Sequence, residues 1–94
     1  MLVTDAHTGA PLALLEGGVL TAIRTGAASG LATDLLAVPD ASILAVIGAG
    51  VQARTQVEAV CAVRPITEIR IFSLSGAEAL ADELRARYDA RVTA

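Results

Sequence analysis

The rhythm of apolar and polar positions changes several times along this chain, and each change marks an element. Ile43–Ile47 is an unbroken apolar run of strand length that stops at Gly48. From Val51 to Val63 the apolar residues Val57, Val60 and Cys61 recur at helical spacing, and Pro65 ends the pattern. Glu68-Ile69-Arg70-Ile71-Phe72 alternates polar and apolar, the period of a strand. Ser75-Gly76 closes that strand. Ala77–Tyr88 then reads as a second helix, with Leu80, Leu84 and Tyr88 on one stripe, and Arg91-Val92-Thr93 begins a third strand. The order β-α-β-α-β predicts an α/β chain containing the first half of a doubly wound parallel sheet.

The residues before this unit follow another pattern. Met1–Ala6 and Pro11–Glu16 are apolar segments separated by His7-Thr8-Gly9-Ala10, which predicts a hairpin. Gly17-Gly18 follows, and then a long helix of small residues from about Val19 to Ala37. Val38-Pro39-Asp40-Ala41 is the one break in composition, a seam dividing residues 1–40 from 41–94. The chain has no internal repeat and no low-complexity tract.

The junction of the first parallel strand and its helix carries the clearest chemistry. Gly48-Ala49-Gly50-Val51-Gln52-Ala53 has the G-x-G-x-x-A form of a dinucleotide-binding fingerprint, with a strand before it and a helix after it. Gly48 permits the tight turn, Gly50 lets the backbone come close to a pyrophosphate, and Ala53 is small enough for the helix to lie on the strand. The first N–H groups of that helix lack intrahelical partners and, with the helix dipole, favour an anion. The alternative is a βαβ unit whose glycines serve only the turn. These features predict a Rossmann-type nucleotide site.

Composition narrows the class further. Ninety-four residues allow one domain at most, less than a complete dinucleotide-binding enzyme, so the sequence is expected to be a fragment or a truncated product. Hydrophobic residues make up 54% and aromatics only 2%, which suits an Ala/Leu/Val-rich layered α/β protein. A formal net charge of −3 leaves no basic footprint for nucleic acid. No apolar run is long enough to span a bilayer, and the N-terminus lacks the pattern of a signal peptide. A cytoplasmic location follows by default. Cys61 stands alone, so neither an internal disulfide nor a cysteine metal cluster is expected, and it reads as a small core residue.

Arg24-Thr25 interrupts the small-residue helix, and an arginine among Ala, Gly and Ile must reach water or meet an anion. Its surroundings are informative. Asp5, Thr8, Gly9, Pro11 and Ala13 form D-x-x-T-G-x-P-x-A, followed by L-T-x-x-R-T-G-A-A-S over Leu20–Ser29, then Leu36-Ala37 and V-I-G-A-G-V-Q-A over Val46–Ala53. In this order and spacing the chain strongly resembles the ornithine cyclodeaminase/mu-crystallin family over nearly its whole length. The resemblance places residues 1–40 in part of a substrate/dimerisation domain and residues 41–94 in part of the Rossmann domain.

The resemblance implies an NAD(P)-dependent enzyme, usually a homodimer, acting on a small amino-acid substrate. Ornithine cyclodeaminase, alanine dehydrogenase, ketimine reductases and non-catalytic NADPH-linked binders of the mu-crystallin type all belong to that family. Ornithine cyclodeaminase is the first expectation: L-ornithine goes to L-proline and ammonia by internal hydride transfer. The family pattern assigns Arg24 to the substrate carboxylate and the cofactor, and Thr25 to the cofactor phosphates. It assigns Gly48, Gly50, Val51, Gln52 and Ala53 to the phosphate loop. The alternatives are an ion pair of Arg24 with Asp34 or Asp5, a Thr25 hydroxyl bonded to its own helix, and a Gln52 side chain that caps the helix.

The second strand ends in Ser73-Leu74-Ser75-Gly76 rather than in the carboxylate that holds the ribose hydroxyls of NAD in many Rossmann proteins. Ser73 and Ser75 are candidate ribose contacts; turn chemistry and helix N-capping are the alternatives. The resemblance implies NAD, with NADP left open by this turn. The family's substrate-binding lysine lies upstream of the matched segment and its catalytic aspartate downstream, so no catalytic residue and no metal ligand is assigned here, and these residues alone are not expected to complete the reaction. His7 is expected in a surface turn, and Asp5 and Asp34 as turn or surface acids. Glu78, Asp82, Glu83, Arg85 and Arg87 are expected to form a solvated helix face with pairs three and four residues apart.

Overall fold

The computed structural model describes residues 1–94. The elements in chain order are β1 (Leu2–Thr4), β2 (Pro11–Leu14), α1 (Gly17–Leu36), β3 (Ile43–Ile47), α2 (Val51–Val63), β4 (Glu68–Phe72), α3 (Ala77–Arg87) and β5 (Arg91–Thr93). β1 and β2 pair antiparallel as a hairpin that packs on no other element. Its turn is built by Asp5, whose carboxylate accepts hydrogen bonds from the His7 and Thr8 N–H groups and from the Thr8 hydroxyl.

β3, β4 and β5 form a parallel sheet in that order, with Ile43 opposite Glu68, Ile47 opposite Phe72 and Glu68 opposite Arg91. The order advances one way across the sheet, and right-handed crossovers then put both connecting helices on the same face. The alternation in β4 shows it: Ile69 and Ile71 are buried against the helices, whereas Arg70 and Phe72 are exposed. The core joins Ile69, Ile71 and Val92 of the sheet to Ala53 and Val57 of α2 and to Leu80, Ala81 and Leu84 of α3. Ile69, Leu80, Leu84 and Val57 are its fully buried large side chains. Each contributes about 1.5–3 kcal/mol through burial. Cys61 and Tyr88 are half-buried against this core, and burial pushes the Cys61 thiol up, away from thiolate reactivity.

α1 forms a third layer outside α2. A Cβ on Gly26 would stand 2.7 Å from the Thr55 carbonyl oxygen, and one on Gly30 would stand 3.0 Å from the Ala59 Cβ. Both contacts advance by four residues on each helix, so α1 and α2 run parallel at backbone contact. Ser29 completes the seam by donating a hydrogen bond to the Gln56 side-chain oxygen at 2.5 Å.

The structure departs from the sequence reading in a few places. α1 begins two residues early and includes Gly17-Gly18, because the Glu16 side chain accepts from the Gly18 and Val19 N–H groups and replaces their missing helical partners. The charged face of α3 is not only a solvated one. Arg85 pairs along the helix with Asp82 and Glu78, but Glu83 pairs with Arg54 of α2 at 2.7 Å and Arg87 with Glu58 of α2 at 3.0 Å. Asp34 is not a lone surface acid, since Arg64 reaches it at 3.1 Å. No helix is long and apolar enough to cross a membrane.

Candidate functional site

The fingerprint loop lies where β3 hands over to α2. Gly48 has φ of 98°, a left-handed conformation that favours glycine, and its N–H donates to the Phe72 carbonyl at 2.7 Å. That bond ties the loop to the end of the neighbouring strand. Gly50 is the N-cap of α2 with φ of −75°, which any residue adopts, and a Cβ there would meet nothing within 4 Å. Neither backbone strain nor packing within the chain requires glycine at position 50. A ligand that approaches the main chain at this point supplies the missing reason.

No side chain caps α2, and its first turn carries no acid. The Val51 and Gln52 N–H groups are therefore left to solvent or to an anion at the positive end of the helix dipole. Ala53 is buried against the sheet, as its small size allows. The Gln52 side chain does not cap the helix; its amide oxygen is buried without a hydrogen-bond partner. An unpaired buried acceptor is costly and suits a hydroxyl donor or a water. A cleft of about 370 Å³ extends from Gly48, Gly50 and Gln52 along Leu44, Val46 and Val57. Most of it is the uncovered flank of β3, which pairs only with β4. Its polar side chains are Gln52 at the loop end and Gln56 one turn further along α2.

The turn after β4 faces this loop. Gly76 has φ of 73°, and a Cβ there would stand 3.8 Å from the Ala49 Cβ. Gly76, not Ser75, is the N-cap of α3. The Ser73 hydroxyl donates to the Ser75 carbonyl at 2.7 Å and accepts weakly from the Ser75 N–H at 3.4 Å. Its hydrogen is committed to the turn while an oxygen lone pair stays available. Arg70 does not reach the turn; it is held by Glu68 at 2.7 Å on the sheet face away from the helices.

Arg24 and Thr25 sit on α1 immediately before Gly26, which contacts Thr55 just past the first turn of α2. Thr25 is half-buried toward α2, and its hydroxyl makes no hydrogen bond back to its own helix. Arg24 lies on the opposite side of α1 from Ala22 and Gly26, and its side chain is exposed. It takes part in none of the six ion pairs. Both acids that could have held it are engaged elsewhere, Asp34 by Arg64 and Asp5 by its own turn. Thr25 is thus half-buried beside Gly26, whose backbone meets Thr55 of α2, while Arg24 points away from α2 as an unpaired cation. No group of three His, Cys, Asp or Glu side chains converges as a metal site.

Sequence reading overlooked Arg64. Its side chain, 8% exposed, donates to the Thr33, Asp34 and Ala37 carbonyls and closes the C-terminus of α1. The one available signal was an arginine just before Pro65, and that alone does not reveal a partner thirty residues away.

Comparison with known proteins agrees with this fold. The chain is 48% identical to Δ(1)-pyrroline-2-carboxylate reductase of Bacillus cereus over 81 residues, covering 86% of this chain and 25% of that protein. It superposes on Thermococcus litoralis Δ(1)-pyrroline-2-carboxylate reductase, solved with NADH and L-proline, with a TM-score of 0.90 and 48% identity over 97% of this chain and 29% of the other. It is also similar to a lysine cyclodeaminase described as recognising L-lysine, L-ornithine and L-2,4-diaminobutyric acid. The TM-score there is 0.89, with 39% identity over 98% of this chain and 27% of the other. The chain spans about a quarter of the length of the curated relatives it matches. The profile of the ornithine cyclodeaminase/mu-crystallin family matches residues 1–94, and the chain belongs to that family.

Proposed function

We propose that this chain holds the pyrophosphate of NAD(P) at the Gly48–Ala53 loop, as part of an enzyme that moves a hydride to or from the nitrogen-bearing carbon next to a carboxylate. Gly50 carries the reading: nothing in the chain requires glycine there, and a dinucleotide does. Val51 and Gln52 offer main-chain N–H groups to the phosphates, Thr25 adds a hydroxyl from α1, and Ser73 and Ser75 face the adenosine ribose. Arg24, a planar cation without a partner, is suited to bidentate capture of the substrate carboxylate. In this reading residues 1–40 belong to the substrate and dimerisation part and residues 41–94 to the nucleotide-binding part.

Two reactions share this machinery. The sequence pattern favours the cyclisation of L-ornithine to L-proline with loss of ammonia. The 48% identity to Δ(1)-pyrroline-2-carboxylate reductases favours reduction of a cyclic imine to proline. The second is the closing half of the first, so the same phosphate loop serves both. The nicotinamide supplies or accepts the hydride; the residues named here position it and neutralise the carboxylate.

Titration of NADH with the chain, read by NADH fluorescence polarisation, tests the site. Saturable binding that L-proline perturbs is expected, with the L-proline effect lost in Arg24→Leu. No binding by a chain whose circular dichroism shows it folded overturns the reading. Turnover separates the two reactions in the protein carrying this segment. NADH loss on adding the cyclic imine marks the reductase; ammonia from L-ornithine without net NADH change marks the cyclodeaminase.

A further inference from the structure

The chain has a joint on each side of α1, and the two are held very differently. The joint after α1, from Ala37 to Ser42, is where the composition changes, yet it is pinned. Arg64 donates to the Ala37 and Val38 carbonyls at 2.9 and 3.1 Å. The Thr67 and Glu68 N–H groups donate to the Ser42 carbonyl at 2.8 and 3.1 Å. α1 itself lies on α2 at backbone contact through Gly26 and Gly30, with the Ser29–Gln56 bond between them. Backbones packed this closely do not slide without breaking the seam.

The joint before α1 has none of this. Leu15 exchanges main-chain hydrogen bonds only with Met1, and the Glu16 side chain bonds only to Gly18 and Val19 at the start of α1. No hydrogen bond joins residues 1–15 to residues 17–94, and no ion pair involves residues 1–15. Every residue of β2 is exposed, and the hairpin packs on no other element. It stands out as an arm: the radius of gyration is 16.3 Å, against about 12 Å for a compact chain of this length. Turning the torsions of Leu15 and Glu16 therefore breaks no contact, and element-terminal residues of this kind are where hinges form.

We propose that the chain moves as two bodies hinged at Leu15–Glu16, with α1 part of the nucleotide-binding body and the hairpin a swinging arm. The break in composition at Val38–Ala41 is not the mechanical boundary. The consequence for the site rests on the nucleotide-binding reading of the Gly48–Ala53 loop. Arg24 and Thr25 keep a fixed placement relative to that loop, while the hairpin moves against all of them. A swing of the arm changes what reaches the cofactor without changing how the cofactor is held.

Residual dipolar couplings of backbone amides, measured on the chain in dilute weakly aligned solution, test the hinge. One alignment tensor should fit α1, α2, α3 and the parallel sheet together, with the hairpin showing about half that alignment or less. A hairpin that fits the common tensor at full magnitude overturns the proposal. So does an α1 that aligns with the hairpin and not with α2, because the joint then lies at Val38–Ala41. Asp5→Ala, which removes the acceptor of the hairpin turn, gives a second reading. Its amide shift changes should stop at Glu16, and the dissociation constant for NADH should stay within about twofold of the parent. Changes that run along α1 beyond Val19, or a larger loss of NADH affinity, overturn the independence of the arm. A parent chain that shows the two alignments but binds no NADH keeps the hinge and overturns the functional reading instead.

Discussion

Arg64, at the C-cap of α2, donates to the Asp34 carboxylate of α1 at 3.1 Å, and the same guanidinium closes the end of α1 by taking the carbonyls of Thr33, Asp34 and Ala37. The ion pair is the lesser part of this joint. The Asp34 side chain is 57% exposed and Arg64 only 8%. A solvated carboxylate adds at most about 1 kcal/mol, whereas truncating the donor strands several carbonyls at once. Arg64→Ala is expected to cost about 2–3 kcal/mol in urea or thermal unfolding, and Asp34→Asn less than about 1 kcal/mol. Equal losses from the two variants would show that the salt bridge, not the capping, holds the joint.

Gly26 makes the seam between α1 and α2 possible. Its missing Cβ would stand 2.7 Å from the Thr55 carbonyl oxygen, a backbone atom that cannot swing aside. Gly26→Ala should therefore destabilise the chain by roughly 1–3 kcal/mol, although alanine is the better helix former by about 1 kcal/mol. The reverse sign in a melting experiment would mean that α1 does not lie on α2 this closely in solution.

Gly50 gives the opposite separation of stability and binding. A valine there meets no protein atom within 4 Å of its Cβ and takes an ordinary φ. It loses only the N-cap preference of glycine, about 1 kcal/mol, but its side chain occupies the space of the pyrophosphate. Gly50→Val is expected to melt within a few degrees of the parent and to lose NADH binding. Retained binding would show that the loop is not the nucleotide site.

Much of this was legible in the chain itself, for identifiable reasons. β3, α2 and β4 fall where the pattern put them, because each is bounded by a breaker (Gly48, Pro65, or the Ser75-Gly76 turn) and one face of each is apolar. The Gly48–Ala53 loop was legible because its glycines have a local geometric purpose. What escaped was tertiary. Glu16 captures the start of α1 through a side-chain bond that carries no hydrophobic signal. Arg64, Arg54 and Arg87 find partners on other helices, and spacing within one helix says nothing of that. The placement of Arg24 was half legible: its need for an anion is plain from its apolar neighbours, but its turn away from α2 depends on the Gly26–Thr55 contact.

Acid should loosen α1 from its first turn. The Val19 and Gly18 N–H groups hold the Glu16 carboxylate below its usual value of 4.5. A group with a lowered folded pKa stabilises above its unfolded pKa, and that contribution fades as pH falls through the folded one. Capping is therefore complete at neutral pH, begins to fade near pH 4.5 and is gone at more acidic values. The Gly18 and Val19 amide resonances should report a titration below pH 4.5, and Glu16→Gln should abolish it. A titration centred at or above the usual value would mean that the carboxylate does not cap the helix in solution.

The uncovered sheet face predicts how the chain behaves at high concentration. Ile43 is 55% exposed, Ile47 87% and Phe72 69%, all on the side without helices, and the outer edge of β3 has no neighbouring strand. An apolar face beside an open edge of this kind favours association. A second copy of the chain offers the same surface, so light scattering should show mass rising with concentration. Ile47→Lys combined with Phe72→Lys should reduce that rise with little loss of stability, since neither side chain contributes to the core. An unchanged mass distribution would move the contact to the exposed apolar side chains of α1, such as Leu31 and Leu35. A monodisperse monomer in the parent chain would contradict association by either face.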